Sequence, residues 1–168
     1  TIANNIISGA TNGAGVLVDG SIGTAVVENT ISDGDVGVGV RGYASSSIIE
    51  ENEGQSQILV SVPFNTESDD TLILGNTITN NEVGVQTIGN GVNLVQALSN
   101  ELDANAIGFL LQGGEIDISN LLAPNAITGG ETSMIFDGPD VSLVNNSLGA
   151  TIFTDQTGNY VTLQNGAL

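Results

Sequence analysis

An asparagine flanked two residues to either side by apolar residues recurs eight times in this chain, and no other feature restricts its fold as much. The centres are Asn5, Asn29, Asn52, Asn76, Asn100, Asn125, Asn146 and Asn165, with successive spacings of 24, 23, 24, 24, 25, 21 and 19 residues. Two positions before the centre every residue but Glu50 is apolar, and two positions after it every residue but Gly54 is apolar. Side chains at i, i+2 and i+4 of an extended chain share one face. The pattern therefore predicts a central amide turned inward together with its two apolar neighbours.

A second element, Gly-apolar-x-apolar, follows about nine residues after most centres. It begins at Gly15, Gly37, Gly84 and Gly108, and Ser133 takes the place of glycine before Met134, Ile135 and Phe136. Val, Ile and Thr in short alternating runs mark strands, and Ser32-Asp33-Gly34-Asp35 and Thr79-Asn80-Asn81-Glu82 mark polar turns between them. A period this short cannot hold a four-stranded propeller blade, which needs about 40 to 45 residues. It suits one coil of a parallel β-solenoid, in which each strand bonds its equivalent one coil later, about 4.8 Å away, so that eight coils make a rod on the order of 34 Å long. Like side chains then stack on like, and an inward asparagine ladder satisfies polar groups that would otherwise be buried unpaired. Asparagine also tolerates the left-handed backbone of a sharp corner. A leucine-rich repeat would need a dense run of Leu, and a calcium roll a Gly-Gly-x-Gly-x-Asp signature; both are missing. The expected fold is all-β, a right-handed parallel β-helix of seven to eight coils. It spans residues 1–168 as a single domain, read as a fragment or repeat module of a longer chain, with an irregular coil at 46–70.

The stretches Val27-Glu28-Asn29-Thr30-Ile31 and Gly75 to Val85 are similar to the right-handed parallel β-helix repeat of the pectate-lyase-like superfamily, of the kind found in large bacterial surface proteins and adhesins. The resemblance covers essentially the whole chain. It implies the fold, and leaves open lyases, hydrolases, epimerases, tailspikes, adhesins and surface-layer proteins. Polysaccharide lyases of this superfamily use calcium-held carboxylates with an Arg or Lys base, and here Arg41 alone could serve. Polygalacturonase-like and epimerase-like members are expected to carry His, which this chain lacks.

Composition narrows the chemistry further. One Lys+Arg against 19 Asp+Glu gives a net charge of −18, with no His and no Cys. There is no imidazole base, thiol nucleophile, zinc site, haem ligand or iron–sulfur cluster to be made. Nucleic acid, which needs clustered Lys and Arg, is excluded as a partner, and no apolar run reaches the roughly 20 residues of a membrane helix.

A hydrolase working with two carboxylates about 5 to 9.5 Å apart is the enzyme class that survives. Its candidate ligand site lies around the irregular coil: Arg41, Tyr43, Glu50, Glu51, Glu53, Phe64 and Glu67. Slipping that coil by one residue would instead turn Ile49 inward and leave Glu50 and Glu53 in solvent. No cofactor is expected other than calcium as an option, since oxygen ligands are plentiful. Asp33, Asp35, Asp69, Asp70, Asp137 and Asp140 are its candidate ligands. The expectation for function is a non-catalytic structural module of a bacterial or archaeal extracellular or cell-surface protein, a surface layer, adhesin stalk or filament subunit. Its partners are neighbouring solenoid coils or subunits end to end, with surface glycans as a further partner. The alternative is a carbohydrate-binding or tailspike-like glycoside-hydrolysing β-helix.

Overall fold

The computed structural model describes residues 1–42, 68–90, 92, 94–117, 124–138, 141–143, 152–154, 158 and 160–165. Three strands make one winding. The first strands, β1 (Ile2–Ala3), β4 (Ala25–Val27), β7 (Thr71–Leu74), β10 (Val95–Leu98), β13 (Gly114–Asp117) and β16 (Val141–Leu143), stack as sheet A. The second strands, β2 (Ile6–Ser8), β5 (Thr30–Ser32), β8 (Thr77–Thr79), β11 (Glu101–Asp103), β14 (Ala126–Thr128) and β17 (Ile152–Thr154), form sheet B. The third, β3 (Ala14–Asp19), β6 (Val36–Arg41), β9 (Val83–Ile88), β12 (Ile107–Gln112), β15 (Thr132–Asp137) and β18 (Val161–Gln164), form sheet C. Neighbouring strands in every sheet are parallel and one winding apart, and the described residues contain no helix. The fold is an all-β parallel solenoid.

Seven to eight coils is an overcount. Four windings are described without a break, at 2–19, 25–41, 71–88 and 95–112, and the remaining strands extend each sheet to six. Strand β4 pairs directly with β7, β5 with β8 and β6 with β9. No coil is therefore intercalated between the windings of Asn29 and Asn76. Six strands per sheet at about 4.8 Å give a rod nearer 24 Å than 34 Å between its outermost strands.

The interior is made of in-register columns. Val26, Ile73 and Ala97 stack behind sheet A; Ile31, Ile78, Leu102 and Ile127 behind sheet B; Val16, Val38, Val85, Phe109 and Met134 behind sheet C. All are buried, and removing a side chain such as Ile78 from water contributes about 2 kcal/mol. The column two positions before each asparagine (Ala3, Val27, Leu74, Leu98) faces outward, contrary to the sequence expectation, and the inward residue is one position earlier. The cause is the residue just before the amide. Asn4, Glu28, Gly75 and Ser99 all have φ between 52° and 64°, and this left-handed step breaks the strand alternation at the A–B corner. The ladder asparagine is not the left-handed residue; it follows it.

The amides themselves form the ladder that the spacing implied. Asn5 Nδ2 donates to Asn29 Oδ1 at 3.0 Å, Asn29 to Asn76 at 3.0 Å, Asn76 to Asn100 at 3.0 Å and Asn100 to Asn125 at 2.9 Å. Each accepting oxygen also takes the preceding asparagine's backbone N–H, at 2.9–3.0 Å. The second amide hydrogen of each inner rung reaches a strand carbonyl, as from Asn100 to Ile73 at 2.9 Å. Asn52 and Asn146 lie outside the described residues. Asn165 is not a rung: it is exposed, follows β18 at the end of sheet C and donates to Asp137 Oδ1.

Candidate functional site

The two ends that flank residues 43–67, the close of β6 and the approach to β7, are pinned to the rod. Gly42 donates its N–H to Ile88 O at 3.1 Å, and Ser68, fully buried, donates from Oγ to Arg41 O at 2.7 Å. Asp69 N–H bonds Ser21 O at 3.0 Å, tying the approach to β7 to the preceding winding. The C-to-A corner is thus where this solenoid accepts extra residues, while the A-to-B and B-to-C corners of the first four windings remain tight. Tyr43, Glu50, Glu51, Glu53, Phe64 and Glu67 lie outside the described residues.

Arg41 ends β6 with its guanidinium on the outer face of sheet C. One winding earlier in the same register stands Asp19. Nε donates to Asp19 Oδ1 at 3.2 Å and Nη2 to Oδ2, so the pair is two-pronged. Hydrogen bonding from Arg41 holds the Asp19 carboxyl below its ordinary value of 3.8, and the positive charge of Arg41 acts in the same direction. Asp19 is not among the sequence candidates, although its spacing of 22 residues from Arg41, one repeat, is the signal that reveals it.

Beside this pair the outer column runs Leu17, Gly39, Gln86, Leu110 and Ile135. At Gly39 the missing side chain leaves a shallow notch of about 180 Å³, lined among others by Ala14, Leu17, Val36, Arg41, Gln86 and Ile88. Its lining is mostly apolar, with Arg41 and Gln86 the polar side chains on it. Asp19, held below the ordinary carboxylate range by Arg41, is not tuned as a general acid or base working at neutral pH would have to be. Farther along the same face Gln86 Nε2 donates to Gln112 Oε1 at 2.9 Å, and Gln112 Nε2 to Asp137 Oδ2 at 2.9 Å. Hydrogen bonds from Asn165 first, then Gln112, lower the Asp137 pKa.

Among the described residues the candidate metal ligands form no group of three or more. Asp33 and Asp35 sit at the B–C corner; Asp33 accepts from Ser32 Oγ at 2.8 Å and Asp35 from the backbone N–H of Asn12. Asp69 and Asp70 precede β7, and Asp137 closes β15 with both oxygens engaged by amides. Asp140 lies outside the described residues. No group of three or more Asp and Glu stands close enough to hold an ion among the described residues.

A second amide ladder is absent from the sequence expectations. Asn81 and Asn105, both buried, occupy the B–C corner, with Asn81 Nδ2 donating to Asn105 Oδ1 at 3.0 Å and Asn105 Nδ2 to Ile78 O at 2.8 Å. Gly34 lends only its N–H to Asn81 Oδ1, at 3.0 Å. The signal is a second asparagine five residues after the first, as in Asn76 with Asn81 and Asn100 with Asn105.

No family model matches the chain, and neither a curated protein nor a solved structure matches it.

Proposed function

We propose that this chain is a non-catalytic structural module of an extracellular or cell-surface protein: a rigid acidic spacer of a surface layer, adhesin stalk or filament, built on the right-handed β-helix of the pectate-lyase-like kind. One observation carries the reading. The ladder amides turned inward are spent on cohesion between windings, since each from Asn29 to Asn100 holds the windings on both sides of it. A rod made this way resists bending because shearing one winding past the next breaks every column together.

The composition supports the setting. A chain with one Lys+Arg among 168 residues offers few cleavage points to trypsin-like proteases, and a charge of −18 keeps it dispersed. Calcium enters as a counter-ion to this charge; a chelator that leaves the thermal midpoint unchanged removes it.

Glycan-array binding of the whole chain is the direct test. The structural reading expects no saturable binding. Strong binding abolished by Glu50→Ala and Asp69→Ala would replace it with the carbohydrate-directed alternative.

A further inference from the structure

We infer that the outer face of sheet C is the contact between two copies of this chain, laid face to face with their rods side by side. The inference deepens the structural role proposed above and names the partner for it.

The face lies on the flank of the rod, on β3, β6, β9, β12 and β15, every residue of which is described. Phe109 and Leu111 are buried in the core, so Leu110 between them points outward. Gln86 and Ile135 stand in register on either side of it. The next outer column runs Val36, Val83 and Ile107, and Val36 lines the notch at Gly39. Sheet B presents a different surface: its outer columns run Thr30, Thr77 and Glu101, and Ser32, Thr79 and Asp103. Sheet A turns Val27, Leu74 and Leu98 outward, but on strands of two to four residues and with Glu115 exposed on the same sheet. Sheet C is the broad apolar flank.

Charge decides what can cover it. At −18 per chain, two copies can meet only where carboxylates are few. Among the described residues Asp19 and Asp137 are the only carboxylates on sheet C strands, and both end their strands at the margin of the face. Asp19 is paired with Arg41, and Asp137 accepts from Gln112 at 2.9 Å. Gln86 in turn donates to Gln112 at 2.9 Å, so these polar side chains stay hydrogen-bonded when water leaves the face. A basic partner would instead be drawn to the B–C corner, where Asp33 and Asp35 stand.

The area fits a reversible pair. Five strands at about 4.8 Å and six residues at about 3.3 Å make a face of about 24 by 20 Å. Two such faces, packed about 10 Å apart, bury about 1,000 Å², the lower limit of a specific contact. The same surface is used on both copies, so the contact closes at two.

The test is sedimentation velocity with small-angle scattering on the whole chain over a hundredfold concentration range, at low and high salt. The weight-average mass should climb from 17.0 kDa toward twice that value, and sooner in high salt, which screens the acidic flanks. Scattering should show a particle that thickens without lengthening. Leu110→Asp puts a charge at the middle of the contact and should weaken pairing more than about tenfold, whereas Thr77→Asp, which adds the same charge to the outer face of sheet B, should leave it unchanged. Circular dichroism checks that both variants keep the fold, and the unsubstituted chain decides the matter without either. A mass fixed at 17.0 kDa throughout, a particle that lengthens instead of thickening, or equal effects of the two substitutions would each overturn the contact. Glycan binding tests the structural role separately, so the two readings can fail independently.

Discussion

Replacing Asn100 by Ala measures what a ladder rung is worth. Asn100 is 1% exposed, and its Oδ1 accepts both the backbone N–H and the amide of Asn76 at 3.0 Å. Its own Nδ2 donates to Ile73 O and Asn125 Oδ1 at 2.9 Å. In the alanine variant the Asn76 amide keeps Val26 O and Leu74 O, and Asn125 Oδ1 keeps the Asn100 backbone N–H. The buried Asn76 backbone N–H keeps nothing. An orphaned buried donor costs about 1 to 3 kcal/mol and each net hydrogen bond lost about 1 kcal/mol, so the expected loss is about 3 kcal/mol. For a chain of this size that lowers Tm by about 6 to 12 °C. Asn5→Ala is the internal control. The Asn5 side chain is exposed and only donates, and Asn29 Oδ1 still receives the Asn5 backbone N–H, so no buried group is stranded. Its expected cost is under about 1 kcal/mol. Urea unfolding followed by circular dichroism reads both. Equal losses at the two positions, or a loss below about 1 kcal/mol at Asn100, would refute the account of the ladder as satisfaction of buried backbone.

Gly84→Ala should destabilise by about 2 kcal/mol, because a Cβ there would lie 2.7 Å from Gly108 O and 2.9 Å from Leu102 Cδ2; an unchanged urea midpoint contradicts this packing. Ala104→Gly should act in the opposite direction. Ala104 is held at φ 53°, where a Cβ costs about 1 to 2 kcal/mol, and after the greater chain entropy of glycine a gain of about 0.5 kcal/mol in thermal or urea unfolding remains. Carboxyl NMR should place the Asp19 pKa below 3.8, and Arg41→Gln should return it upward. A carboxyl depressed in the folded state stabilises above its unfolded value. That contribution is lost as pH falls through the depressed one, so it disappears only in strong acid.

The repeat announces the solenoid because a one-per-winding amide leaves a fixed spacing in the sequence, and five of the eight centres, Asn5, Asn29, Asn76, Asn100 and Asn125, stand in one file. The departures have physical reasons. Asn165 has an apolar residue two positions to either side, but it closes a sheet C strand, and a three-residue pattern cannot tell one corner from another. Asn29 bonds Asn76 directly across 47 residues, so neighbours in the ladder need not be one repeat apart in the sequence. The inward phase of sheet A is hidden for a different reason. Alternation assumes an unbroken strand, and Glu28 or Ser99 at positive φ carries no more mark in the sequence than any other polar residue. The candidate metal ligands come from turns taken one at a time. Among the described residues Asp33 and Asp35 stand at the B–C corner, while Asp69, Asp70 and Asp137 stand at the C–A corner on different windings, and nothing in their local sequence records which.

Why the ladder is asparagine in a chain so rich in carboxylates is decided by charge. An amide carries donor and acceptor together and can be stacked every 4.8 Å or so without accumulating charge. Aspartate has the same shape, and when protonated it can still donate to Ile73 O and accept from Asn76 N–H. Asn100→Asp should therefore unfold at nearly the same urea concentration as the unsubstituted chain at low pH. Its folded-state carboxyl, buried and beside strand carbonyls, titrates above the unfolded value of about 3.9. As pH rises past that unfolded value the denatured chain gains charge that the folded rod refuses, and stability relative to the unsubstituted chain falls by about 1.4 kcal/mol per pH unit until the buried group ionises. The difference between the two midpoints should thus widen from about pH 4 to about pH 7. A difference that stays constant with pH would mean that the rung at Asn100 is open to water, and the cohesion attributed to the amide column would have to come from the apolar columns alone.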